Sequence, residues 1–287
     1  MNGLRLGKPC YAFHEIPSTM DVAHRLALQE TSEGTCVWAE RQTGGRGRAG
    51  RHWSSPPGGI YCSVVLRPTR SQQELPQLAL VAGLATVQAI HDVTGLPAAI
   101  RWPNDVLLHG KKLAGILTEA RSSSSTQHTA HSTRTYAVIG MGINVITDSR
   151  DLPEGTTALA HWTQKVPGTF LHQVPGTFRR KVPGTFYRRN RTERVQRVDR
   201  FALAAALFRR LEQAYQQWNA DGFAAIRPLL LPWIGLFGQL VHITTTRERF
   251  EGQAMDIDET GRLLVRLDSG MVRAFDAGDV TLLRESP

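Results

Sequence analysis

A chain of 287 residues with 41% hydrophobic and 21% charged side chains can bury a full core and is expected to fold as one large domain plus a small one. No run approaches 18 uninterrupted apolar residues, which excludes a helical membrane span; the N-terminal stretch lacks a secretory apolar core, so the expected compartment is the cytoplasm. The formal charge of +9 invites a nucleic-acid partner, but nearly all of the excess sits between His161 and Arg200, where ten Lys or Arg face two acids.

Cys10, Cys36 and Cys62 show no paired spacing and read as small apolar residues or a surface thiol, not as a disulfide or metal set. The ten histidines are equally scattered, and nothing near His128 and His131 completes a metal site.

In chain order, Thr35 to Glu40 and Ile60 to Leu66 read as strands, rich in aromatic and β-branched residues. Between them lies GGRGRAGRHW from Gly44, with glycines alternating with Arg46, Arg48 and Arg51. Glycine lets the backbone approach an anion, and guanidinium groups on such a loop grip carboxylate or phosphate at two points. The competing reading is an RGG-like nucleic-acid segment or a solvated loop. Such segments usually recur in disordered repeats, whereas this one occurs once between two buried-type strands.

Pro76 to Val93 reads as a helix, with Pro in its first turn and Gly95 just past its end. In RWPNDVLLHGKKLAGILTEA, from Arg101, Pro103 ends a strand and leaves Asn104 and Asp105 at a junction. Val106 to Leu108 and Leu113 to Glu119 flank a turn at His109-Gly110 and form a hairpin carrying Lys111 and Lys112. Small Ala114 and Gly115 leave room beside Lys112. A lysine after a turn is, taken alone, more often surface decoration than catalyst. Arg121 to Thr135 is Ser/Thr-rich and reads as a loop between two strands. Tyr136 to Ile146 is a further strand, in which Gly140 and Gly142 weaken the pairing unless something packs closely on them.

VPGTF occurs three times, at Val166–Phe170, Val174–Phe178 and Val182–Phe186, with a period of eight. Pro-Gly in each copy destroys helix and strand periodicity, and the run is too short for a solenoid. It reads as a solvent-exposed basic insert over about 161–197, with an RNA or acidic partner as the alternative. Asp199 to Asn219 is an amphipathic helix with Phe201, Ala204, Phe208, Leu211, Tyr215 and Trp218 on one face. From about Gly235 the chain turns to short strands, Gln239 to Thr245, Arg249 to Ile257, Leu263 to Leu267 and Val272 to Phe275. That spacing is the signature of a small β-barrel.

GRGRAGRHW, RWPNDV, KKLAGIL and GMGINV, in this order, resemble the hallmark motifs of the biotin protein ligases. The resemblance runs from about Phe13 to Ser149 and resumes from about Asp199. It implies an α+β fold: a mixed sheet with helices like that of class II aminoacyl-tRNA synthetases over 1–234, and an SH3-like barrel over 235–287. It implies a ligase that makes biotinyl-5'-AMP from biotin and ATP with Mg²⁺. The biotin would then pass to a lysine of the biotin carboxyl carrier protein of acetyl-CoA carboxylase.

Carried onto matching positions, the resemblance gives Ser18, Thr19 and Gln42 to the ureido ring of biotin, with Met20 where many relatives have Asn. Arg46, Gly47 and Arg48 would form the loop over biotin and the adenylate, with Ala49 where some relatives have a third arginine. Lys112, beside Gly115, would bind the biotin carboxylate and the ATP α-phosphate, and with Arg48 would carry the catalysis. Trp53 and Asn144 would enclose the adenosine. Arg51 and Asn104 would lie near the phosphates, and Asp105 would be the candidate Mg²⁺ ligand. A lipoate or octanoate ligase shares the fold and is the nearest alternative. A DNA-binding repressor needs a helix-turn-helix module, for which there is no room before Ser18, so neither DNA nor membrane is an expected partner.

Overall fold

The computed structural model describes residues 6–124, 133–163, 198–245, 248–276 and 278–282. The VPGTF repeats and the centre of the Ser/Thr-rich stretch lie outside the described residues.

Seven strands form the main sheet: β1 (Cys10–Ile16), β2 (Cys36–Gln42), β3 (Ile60–Leu66), β4 (Ala99–Arg101), β5 (Asp105–Leu108), β6 (Lys111–Ser124) and β7 (Thr133–Ile143). Their order is β1-β2-β3-β7-β6-β5-β4. β1 runs parallel to β2 and every other neighbour is antiparallel, so the sheet is mixed, as expected. β3 is buried along its whole length, which matches its almost unbroken apolar run.

Helix α1 (Thr19–Leu28) covers one face of this sheet through Met20, Ala23 and Ala27 against Val37, Val65 and Val138. The other face packs under α2 (Leu78–Thr94) and α4 (Arg200–Asp221). α2 is buried around most of its circumference because it lies between the sheet and α4. It starts later than the sequence suggested: Gln72–Gln77 is a 3₁₀ turn that takes up Pro76, capped reciprocally by Ser71 and Glu74. Gly95, at φ 69°, closes the helix in the left-handed conformation that glycine adopts without cost.

Asp199 caps α4 by accepting from the Phe201 and Ala202 amides at 2.9 and 3.1 Å. The expected apolar face needs one correction, since Phe201 is 67% exposed. Leu203 takes the core-facing place in the first turn, and a residue two positions earlier lies roughly 200° away around the helix. The short helix α3 (Ala160–Thr163) precedes α4, and α5 (Phe223–Leu230) follows it.

The C-terminal strands are β8 (Leu240–Thr244), β9 (Arg249–Ile257), β10 (Leu263–Leu267), β11 (Val272–Phe275) and β12 (Asp279–Leu282). They form an antiparallel sheet in the order β11-β10-β9-β8-β12. The expected barrel is thus seen as an open sheet: among the described residues its edges, β11 and β12, do not pair. β12, four residues long, was not among the expected strands although Asp-Val-Thr-Leu alternates polar and apolar. Polar contacts fix this part of the chain to the main sheet and to α5. Trp102 donates to the Gly261 carbonyl at 3.0 Å, Gly235 N–H donates to Ile100 at 3.1 Å, and Arg227 pairs with Asp256 at 2.6 Å.

Candidate active site

One wall of the site comes from the β5–β6 hairpin. His109 (φ 48°) and Gly110 (φ 75°) both take positive φ, the turn that matches strand twist. β5 and β6 then slip register: Leu107 faces Lys112, but Val106 faces Ala114, so Leu113 is the extra residue of a β-bulge. The bulge turns Lys112 onto the same face as Gly115 and Leu117. There its Nζ lies 2.6 Å from Asp105 Oδ1 and 5.4 Å from the centre of the Trp53 ring. The other Asp105 oxygen accepts from Arg101 at 2.6 Å. Asn104 locks the wall from behind, exchanging two 2.9 Å hydrogen bonds with the Ile116 backbone.

The opposite wall is the glycine–arginine loop. It is a small hairpin, with antiparallel bridges at Gln42–Ser55 and Arg46–His52. Its tip is a 3₁₀ turn over Arg48–Gly50, in which Ala49 (φ 56°) and Gly50 (φ 74°) are left-handed. The arginines are held by different partners. Arg46 reaches Asp21 at 3.1 Å and Glu119 at 3.3 Å. Arg48 donates to a neutral acceptor, the Gly278 carbonyl, at 3.0 Å, and Arg51 pairs with Asp279 at 2.8 Å. Burial pulls the Arg48 guanidinium below the usual arginine range, partly offset by Asp279. The loop tip is therefore tied to the C-terminal sheet.

The floor is the middle of β7. Gly142 and Gly115 pair across β6 and β7, and the Trp53 ring lies on both. A Cβ at Gly142 would meet Trp53 Nε1 at 2.4 Å, and one at Gly115 would meet the ring at 2.9 Å. Gly140 admits Met20 in the same way, its added Cβ falling 2.6 Å from the Met20 sulfur. The weak-strand glycines of the sequence thus have a packing reason: side chains from α1 and the loop lie directly on the backbone. Among the described residues Trp53 Nε1 is buried without a hydrogen-bond partner. An unsatisfied buried donor costs about 1–3 kcal/mol, so this group is poised for an acceptor that a ligand would bring.

The cavity enclosed by these walls is about 120 Å³. Of the residues singled out in the sequence, Thr19, Met20, Gln42, Arg46, Gly47 and Arg48 line it. Arg51, Trp53, Asn104, Lys112 and Gly115 line it as well. Thr19 is oriented by Gln42, which accepts from its amide at 2.8 Å, and by Ser63, which donates to its hydroxyl at 2.8 Å.

Ser18 and Asn144 fall outside the lining. Both are 2% exposed, and Asn144 Nδ2 donates to the Thr157 carbonyl at 3.1 Å. Asp105 pairs with Arg101 through one carboxylate oxygen and with Lys112 through the other, at 2.6 Å each. Among the described residues no group of three or more His, Cys, Asp or Glu could hold a metal, so a Mg²⁺ ion here would draw its ligands from nucleotide phosphates as well as from the protein. Sequence reasoning missed His52, Ile116, Leu117 and Met141 in the lining, and behind it Asp21, His24, Glu119 and Tyr136. An acidic or imidazole side chain next to a loop arginine gives no linear signal.

The arrangement gathers four cations around a glycine-floored cleft with an aromatic lid, a layout suited to joining two anions. Comparison with known proteins supports the same direction. Residues 12–144 match the biotin/lipoate A/B protein ligase family and residues 236–283 match the biotin protein ligase C-terminal domain. The bifunctional ligase/repressor BirA of Bacillus subtilis is 32% identical over 92% of this chain and 72% of its own length. The biotin–[acetyl-CoA-carboxylase] ligase of Mycobacterium tuberculosis is 29% identical over 92% of this chain and 85% of its own. The structure of the Aquifex aeolicus biotin protein ligase with biotin and ATP superposes with a TM-score of 0.70 at 26% identity, covering 97% of this chain and 100% of that one. This chain belongs to the biotin protein ligase family.

Proposed function

We propose that the chain activates biotin with ATP to biotinyl-5'-AMP and transfers the biotinyl group to a lysine of a carrier protein, the biotin carboxyl carrier protein of acetyl-CoA carboxylase. The observation that carries this reading is the convergence of Lys112, Arg48 and Trp53 over the Gly115–Gly142 floor. In it, residues 1–234 form the catalytic unit, 235–287 an SH3-like unit, and the reaction takes place in the cytoplasm. Among the described residues no helix is long and apolar enough to cross a membrane.

The biotin carboxylate must attack the α-phosphate, and two anions repel. Lys112 leaves Asp105 to bridge carboxylate and phosphate, and Arg48 leaves a neutral carbonyl for a phosphate oxygen. Each preorganised donor contributes roughly 2.7–4 kcal/mol to such a step. A carboxylate oxygen bonds to phosphorus, pyrophosphate departs, and the mixed anhydride stays under the arginine loop, away from water. The carrier amine then bonds to the acyl carbon and AMP leaves with the bridging oxygen. Thr19, Gln42 and Met20 hold the biotin rings in this reading; Arg46 and Gly47 close over the acyl chain. Trp53 stacks on the adenine, while Asn104 and Arg51 lie towards the phosphates.

Mass spectrometry of a carrier domain incubated with the protein, ATP, Mg²⁺ and biotin tests the proposal. A gain of one biotinyl group with release of pyrophosphate is expected. Failure of the purified protein to form biotinyl-AMP from added biotin and ATP would overturn it, and turnover of lipoate or octanoate in place of biotin would move it to the sister reaction.

A further inference from the structure

Behind the arginine loop, buried and half-buried polar groups form a continuous chain that ends on Arg46, and the reaction above uses none of the groups behind that arginine. Tyr136 Oη lies 3.2 Å from His24 Nδ1, and His24 Nε2 lies 2.8 Å from Glu119 Oε2. Glu119 in turn meets two guanidinium nitrogens of Arg46 at 3.3 Å each. His24 is 4% and Tyr136 1% exposed, so these groups have little water to fall back on. The partners fix the tautomer: the carboxylate can only accept, so His24 Nε2 carries the proton and Nδ1 accepts from the tyrosine hydroxyl.

Glu119 stands on β6 two residues beyond Leu117 and four beyond Gly115, so alternation puts it on the pocket face. A long arginine loses much rotamer freedom when held in one geometry. Asp21 at 3.1 Å is 55% exposed in its side chain, against 26% for Glu119, and screened pairs contribute little. The more buried carboxylate, itself oriented by an imidazole, is the stronger restraint on the arginine.

We propose that Glu119, oriented by His24 and Tyr136, is a positioning residue that fixes the Arg46 guanidinium over the biotin end of the pocket and so sets how tightly the loop retains biotinyl-AMP. This rests on the adenylation reading above. Burial of His24 favours its neutral form, with Arg121 and Arg46 acting in the same direction and Glu119 against it. The neutral form is the one that leaves Nδ1 free to accept from Tyr136.

The test is a double-mutant cycle read on the dissociation rate of added biotinyl-AMP and on the split between biotin KM and kcat for pyrophosphate exchange. Glu119→Gln should release biotinyl-AMP about tenfold faster and raise biotin KM similarly, with kcat within about twofold, as a lost contact of ~1.4 kcal/mol implies. Arg46→Ala should weaken retention at least as much, and adding Glu119→Gln to it should change nothing further, because Glu119 acts through Arg46. Parent-like retention by Glu119→Gln, or a loss that adds to that of Arg46→Ala, overturns the proposal. If Glu119→Gln does not fold, Tyr136→Phe removes only the hydroxyl and should still quicken release roughly threefold, by a lost hydrogen bond; unchanged release overturns the relay. A parent that binds no biotinyl-AMP sinks the functional reading as well, whereas a retentive parent with an equally retentive Glu119→Gln sinks the relay alone.

Discussion

The two walls of the pocket are held in different ways. On the hairpin wall, strand pairing does the work: a bulge at Leu113 aims Lys112, and backbone bonds from Asn104 and Gly155 fix its surroundings. On the loop wall, side chains do it: each arginine is tied by one or two polar contacts to α1, β6 or the C-terminal sheet. A cation aimed by strand register has only its Asp105 contact to exchange when substrate arrives, and its loss removes chemistry. A side-chain-held cation can be exchanged between partners, and its loss changes opening and closing. Substitutions on the two walls should therefore fail in different ways.

The largest effect is expected at Lys112. Lys112→Ala should lower the rate of biotin-dependent pyrophosphate exchange by roughly 10²–10³-fold, the range for a lost preorganised charge contact. Its Tm should hold, because the strand pairing remains. Exchange near the parent rate would show that the hairpin wall only shapes the pocket. Arg48→Gly should spare more of the chemistry and lose the product: biotinyl-AMP should leave roughly 10–100-fold faster, as expected for one charge-assisted hydrogen bond. Indiscriminate lysine labelling of bystander protein would report that leak, and parent-like retention would break the contrast between the walls.

The floor sharpens the contrast further. Gly142→Ala would place a methyl against Trp53 Nε1 and push the ring off its seat. ATP KM should rise about tenfold while biotin affinity holds, the cost of a steric clash of ~1.4 kcal/mol. An equal loss for both substrates would mean that Trp53 does not divide the pocket as described.

These differences also set what could be read in advance. Ile60–Leu66, Arg249–Ile257, Leu263–Leu267 and Val272–Phe275 are strands with the expected bounds, because apolar alternation and turn residues are local signals. The loop glycines, Lys112 and the Gly140–Gly142 pair stood out for the same reason. β1, with a mostly exposed burial pattern, carries no such pattern, and three-residue β4 was legible only as the strand that Pro103 ends. The exposure of Phe201 and the open edge of the C-terminal sheet depend on where neighbouring elements end. The Glu119–His24–Tyr136 chain joins residues 95 and 112 positions apart, so only folding brings it together. The bulge that aims Lys112 is likewise a property of register, which the residues KKLAG do not spell out.

The smallest effect should come from the tether between the loop tip and the C-terminal sheet. Arg51 and Asp279 are 2.8 Å apart with side chains 56% and 46% exposed, and such pairs contribute about 0.2–1 kcal/mol. Because Arg51 cannot serve Asp279 and a phosphate at once, Asp279→Asn should free it and lower ATP KM by up to about fivefold, the upper end of that range. Added salt should reproduce much of the gain in the parent, since the pair lies where counter-ions screen it. Among the described residues Arg48 does not contact Asp279 and bonds only the Gly278 carbonyl at 3.0 Å, so it is as free as in the parent to move to a phosphate, and adenylate retention should barely move. A rise in ATP KM in Asp279→Asn would instead mean that the C-terminal sheet holds the loop in its nucleotide-binding position. The loop wall would then be as preset as the hairpin wall.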